Sequence, residues 1–98
     1  AGGTLTTLVE GATIERMRAP SGLAVDGDVL FVGDHDTARI WGFDLLSGDL
    51  IDWLDLDAMI EPGGLMGLEF DSEGRLLVVD SLGNRVLRIS QLAPTPEP

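Results

Sequence analysis

The sequence of 98 residues has no cysteine, no tyrosine and no lysine, and a single histidine, His35. Without cysteine there is no disulfide, no thiolate metal site and no cysteine nucleophile. One histidine excludes a multi-histidine zinc centre within this chain. Basic residues are scarce: six arginines stand against 17 acidic residues, a formal charge of −11. Phosphate backbones and anionic membrane surfaces need basic stripes, so neither nucleic acid nor such a surface is an expected partner. No apolar run approaches the ~18 residues of a membrane helix. The opening Ala1-Gly2-Gly3 lacks the basic n-region of a signal peptide, and a processed and a truncated start both stay open. What is present is a 44% hydrophobic content, ordinary for a packed domain, on a length that suits one small domain.

The chain repeats itself. Gly22-Leu23-Ala24-Val25-Asp26 matches Gly67-Leu68-Glu69-Phe70-Asp71 at an offset of 45. Val29-Leu30-Phe31-Val32-Gly33-Asp34 matches Arg75-Leu76-Leu77-Val78-Val79-Asp80, and Arg39-Ile40-Trp41-Gly42-Phe43 matches Arg85-Val86-Leu87-Arg88-Ile89, both at 46. The slip falls in the turn, where Gly27-Asp28 faces the longer Ser72-Glu73-Gly74. A period of about 40–50 residues made of short strands points to propeller blades. Leu23–Val25 is a short inner strand before an Asp-Gly turn. Val29–Val32 is a continuous apolar run, as in a strand buried on both faces. Leu50–Leu54, after the turn Ser47-Gly48-Asp49, supplies a fourth strand. The expected fold is therefore all-β: four-stranded antiparallel meanders, about two β-propeller blades plus one stray outer strand at Leu5–Val9.

The expected organisation places the stray strand and a connector in residues 1–19 and a first blade in 20–56. A connector follows in 57–66, then a second blade lacking its fourth strand in 67–92. A Pro-rich tail in 93–98 reads as disordered, because its prolines cannot donate ladder hydrogen bonds. Only Asp55–Ile60 could form a helical turn or two, before Pro62-Gly63-Gly64 ends it.

These blocks resemble the NHL-repeat class of propeller blades. The first unit carries Pro20-Ser21-Gly22-Leu23-Ala24-Val25-Asp26, Phe31-Val32-Gly33-Asp34 and Ala38-Arg39-Ile40; the second carries Gly67-Leu68-Glu69-Phe70-Asp71, Val78-Val79-Asp80 and Gly83-Asn84-Arg85-Val86. Ala38 stands where the family pattern has Asn, and the second unit lacks the proline before its inner strand. The resemblance implies blades, not an activity, because the signature residues build the fold. Propellers have about 4–8 blades, so two alone would expose apolar faces. Expected partners are therefore other blades of the same protein or further copies of the chain.

Asp34 and Asp80, at matched strand ends, read as turn-pinning carboxylates, and Asp26 and Asp71 as inner-strand ends before turns. Arg39 and Arg85, five residues after Asp34 and Asp80, read as a repeated intra-blade Asp–Arg pair, with a ligand-binding guanidinium fork as the rival role. Four residues are candidate ligand contacts: His35 and Asp36 in a turn, Trp53 in an outer strand, and Glu69 in an inner strand. The acidic stretch Asp52, Asp55, Asp57 and Glu61 lacks EF-hand spacing and reads as a solvated loop. No cofactor is expected, although a divalent cation such as calcium stays open, and no catalytic residue is assigned.

The function these features point to is a noncatalytic propeller segment that binds a protein or small-molecule ligand through loops between strands. The alternative is the C-terminal part of a propeller enzyme, a metal-dependent hydrolase or lyase with most catalytic residues outside this chain. Composition leans toward a secreted, periplasmic or envelope protein.

Overall fold

A computed structural model of the chain describes residues 3–15 and 17–89. Among the described residues seven strands form two antiparallel meanders. The first sheet is β1 (Pro20–Asp26), β2 (Val29–Asp34), β3 (Arg39–Asp44) and β4 (Leu50–Asp55), paired in that order. The second is β5 (Leu65–Phe70), β6 (Leu76–Asp80) and β7 (Arg85–Ile89). The chain is all-β, in blade-like meanders of four and three strands. Among the described residues no helix is long and apolar enough to cross a membrane.

The turns follow from the sequence. Asp26 pairs with Val29 around Gly27-Asp28, and Gly27 has φ 60°. Glycine with positive φ at the first central position is the II′ hairpin pattern, whose twist matches the strands. Ala38 (φ 57°) and Asn84 (φ 54°) occupy the same left-handed position in the β2–β3 and β6–β7 turns. Asn takes that conformation readily, whereas Ala38 is held there with its methyl group fully buried.

Strand alternation sorts the side chains onto two faces of each sheet. Ala24, Phe31 and Ile40 of the first sheet meet Leu65, Leu76 and Val78 of the second in one core, closed by Leu56 and Ile60 from the connector. The connector makes a single helical turn there, with the Ile60 N–H donating to the Leu56 carbonyl at 2.8 Å. Phe31 and Phe70 meet edge to face, their ring centroids 5.4 Å apart. The inner strand β5 lies against β1 and β2. That approach needs small residues: a Cβ on Gly22 would lie 2.7 Å from the Met66 carbonyl oxygen, and one on Gly33 would lie 3.3 Å from Leu65 and Leu68 methyl carbons.

Val32, Trp41 and Phe43 on the opposite face of the first sheet form a second cluster, covered by Val9, Ile14 and Met17. The N-terminal segment therefore differs from expectation. Leu5–Val9 forms no strand, and a short 3-10 turn follows at Gly11–Thr13. Val9 packs on the sheet face instead of joining a ladder, while Leu5 and Leu8 stay exposed. The second inner strand begins at Leu65, two residues before the expected Gly67, with a register shift between Leu65 and Leu68. The expected Pro-rich tail lies outside the described residues.

Replacing Leu76, fully buried between the sheets, with alanine should lower the unfolding free energy by about 2–5 kcal/mol in urea titrations. Leu46→Ala, at a position 89% exposed, should change it by less than about 0.5 kcal/mol.

Candidate functional site

The strand-end carboxylates are occupied in holding the fold. Asp34 is fully buried. One of its oxygens accepts the backbone N–H groups of Arg18 (3.0 Å) and Ala19, and the other accepts the Thr37 N–H at 3.0 Å and the Thr37 hydroxyl at 2.6 Å. It thereby fixes the lead-in to β1 and the β2–β3 turn together. Asp80 accepts the Gly83 N–H and the Arg85 Nε–H, each at 2.9 Å. Asp71 accepts the N–H groups of Glu73 and Arg75, both at 2.9 Å, and pairs with Arg75 Nε at 2.8 Å. Asp44, not singled out from sequence, accepts the N–H groups of Leu46 (2.8 Å) and Ser47 (3.0 Å) before β4. Asp26 closes the β1–β2 hairpin through its backbone pairing with Val29.

The Asp–Arg pair does not recur in both repeats as expected. Arg85 reaches Asp80, and its terminal nitrogen donates to the Met59 carbonyl at 2.5 Å. Arg39 instead pairs across the ladder with Asp55 of β4, N to O 2.8 Å. The reason is local. Thr37 stands where Gly83 does, and its hydroxyl takes the Asp34 oxygen that Arg85 takes on Asp80. β4 then offers Arg39 a carboxylate, and the second sheet has no matching strand among the described residues.

The four candidate ligand contacts are not gathered in one place. His35 is part of the joint between the sheets. Its N–H donates to the Ala19 carbonyl (2.9 Å), its carbonyl accepts from Gly63 (2.8 Å), and its Nδ1 lies 3.2 Å from the Leu65 carbonyl oxygen. That last contact requires the proton on Nδ1. Asp36 is exposed in the adjoining turn. Glu69 stands four residues along β5 from Leu65, ~13 Å at strand rise, with Leu77 opposite it. Trp53 lies on β4, opposite Trp41 and 44% exposed. Among the described residues no three His, Cys, Asp or Glu side chains are grouped to hold a metal ion. Within the acidic stretch, Asp55 holds Arg39 and accepts the Asp57 N–H at 3.0 Å, and Asp52 accepts the Trp53 N–H at 2.8 Å.

A groove of about 380 Å³ with both polar and apolar walls is lined by Ile14, Glu15, Arg39, Trp41, Leu50 and Trp53. The loop before β1 forms one wall; β3 and β4 form the other. Of its residues, the sequence singled out Trp53 for ligand contact and offered Arg39 for it as a rival role. It had no means of placing Ile14 and Glu15, because their position depends on how the N-terminal segment crosses the sheet. A scan against protein-family models found no match, and a search of curated proteins found none.

Backbone N–H donors hold three carboxyls below the usual carboxylate range: Ser47 then Leu46 for Asp44, Arg75 for Asp71, and Gly83 followed by the Arg85 guanidinium for Asp80. A lowered folded-state pKa stabilises the fold fully above the unfolded value near 4, and the contribution is lost as pH falls through the folded one. Asp80→Asn should therefore melt below wild type above about pH 5, and the gap should close below about pH 4 in circular dichroism melts. Asp34→Ala leaves several part-buried donors without their acceptor and should lower stability by about 1–3 kcal/mol.

Proposed function

We propose that the chain is a noncatalytic segment of an NHL-type β-propeller that binds a protein or small-molecule ligand at a loop-bordered surface. The observation that supports the reading is the groove between the Ile14–Glu15 loop and β3–β4. It combines a half-exposed indole, apolar side chains Ile14 and Leu50 on its two walls, and two charged side chains, Arg39 and Glu15. Pockets of this composition orient a ligand through few polar groups over apolar walls. The Arg39–Asp55 pair holds the guanidinium in place, and strands beneath the groove keep it rigid. By contrast, the carboxylates at the strand ends are committed to backbone donors and arginines, which supports a structural role for them. The reading assigns no cofactor.

Trp53 gives the test a reporter, because the other indole, Trp41, is buried. A panel of saccharides, nucleosides and short peptides titrated against intrinsic fluorescence should yield a class that shifts Trp53 emission. Trp53→Ala should weaken that binding at least about tenfold, or about 1.4 kcal/mol. A ligand whose affinity is indifferent to both Trp53→Ala and Arg39→Ala would place recognition elsewhere and contradict the reading.

A further inference from the structure

The face of the second sheet that turns away from the first is uncovered among the described residues. Gly67, Glu69, Leu77, Val79 and Val86 line a shallow depression of about 240 Å³ there, with Val79 40% and Val86 64% exposed. The sequence offsets say what this face is. Counting 45 residues along the inner strand and 46 along the next two, Gly22, Ala24, Phe31, Gly33 and Ile40 map onto Gly67, Glu69, Leu77, Val79 and Val86. The first set lies on the face of the first sheet that packs against the second. The converse holds as well. Leu23, Val25, Leu30, Val32, Trp41 and Phe43, on the outer face of the first sheet, map onto Leu68, Phe70, Leu76, Val78, Leu87 and Ile89, which face the shared core. The two outer faces of the chain are thus the two halves of the interface already formed inside it.

We propose that the uncovered face of the second sheet docks the first sheet of a second copy of this chain, β5 against that copy's β1. The inference rests on the repeat-propeller reading above and names the partner it implies. The receiving surface is open where the contact falls. Val9, Ile14 and Met17 cover the Val32–Trp41–Phe43 cluster, whereas Leu23 is 63% and Val25 is 53% exposed on β1. Gly33 meets Leu65 and Leu68 within the chain; Val79, in the Gly33 place, would meet the smaller Pro20 of the second copy where Leu65 stood, with Leu23 in the place of Leu68. The contact is heterologous, one face meeting a different one, so it propagates around a ring or along a filament. Glu69, in the Ala24 place, brings a carboxylate to the contact, and each copy carries a charge of −11, so association strengthens as salt screens the repulsion.

Gly67 separates docking from folding. A Cβ there meets nothing nearer than Val79 Cγ2 at 3.7 Å within the chain, whereas at the matched Gly22 it would lie 2.7 Å from the Met66 carbonyl oxygen. In sedimentation equilibrium the 98-residue chain should shift with concentration from 10.4 kDa toward multiples of it, more so at high salt. Gly67→Val should keep the wild-type circular dichroism spectrum and dilute melting temperature yet associate at least about tenfold more weakly. Val86→Glu should do the same. A wild-type chain that stays at 10.4 kDa up to about 1 mM in high salt overturns the proposal. So does association that neither variant weakens. Gly22→Val distinguishes the two levels: it should lower the melting temperature markedly. If it does not, the repeat-propeller reading itself fails; if it does while Gly67→Val associates like wild type, only the docking assignment falls.

Discussion

Two glycines set how closely the sheets meet. At Gly22 and Gly33 the backbones of β1 and β2 come within side-chain reach of Met66, Leu65 and Leu68, leaving no room for a Cβ at Gly22 without movement. This approach brings Ala24 and Phe31 onto Leu76, Val78 and Phe70, and gives a small chain one shared core in place of two thin sheets. Repeat units in general do not bury enough apolar surface to be stable alone, and the core of this chain is shared between the two meanders. The contact between inner strands is therefore the element on which each sheet depends, and the connector residues Leu56 and Ile60 close the core beside it.

The carboxylates serve that packing rather than a chemistry. Asp34 ties the chain entering β1 to the turn leaving β2, and the His35 backbone and imidazole tie the same turn to Ala19, Gly63 and Leu65. The ends of the inner strands of both sheets are thus joined by one set of hydrogen bonds around two consecutive residues. A buried carboxylate with several N–H donors and no unsatisfied oxygen is a rigid hub. The groove beside Trp53 lies on β3 and β4, where one wall is the loop before β1 and Arg39 is held by Asp55.

Much of the fold was legible because two independent signals coincided. The repeat offset and the strand-like apolar runs both placed β1 to β3 against β5 to β7, and the matched Asp34 and Asp80 marked strand ends. The misreadings came from treating the repeats as identical. Thr37 in place of Gly83 supplies a hydroxyl to Asp34 and leaves Arg39 to Asp55, a difference that a five-residue spacing does not reveal. Leu5–Val9 has strand-like composition, but composition does not say whether a ladder partner or an open sheet face is within reach. The candidate site was legible only at Trp53, with Arg39 weighed for either role. Its other wall is formed by residues distant in sequence, and His35, conspicuous as the lone histidine, serves the joint between the sheets.

The most direct measurement is a set of nuclear Overhauser contacts between the two sheets in the wild-type chain. The account predicts strong contacts from the Gly22 and Gly33 α-protons to the Leu68 methyl groups, alongside the cross-strand contacts within each sheet. Intact cross-strand contacts in both sheets, with those glycine-to-Leu68 contacts missing, would mean two meanders that fold without this packing, and would contradict the account.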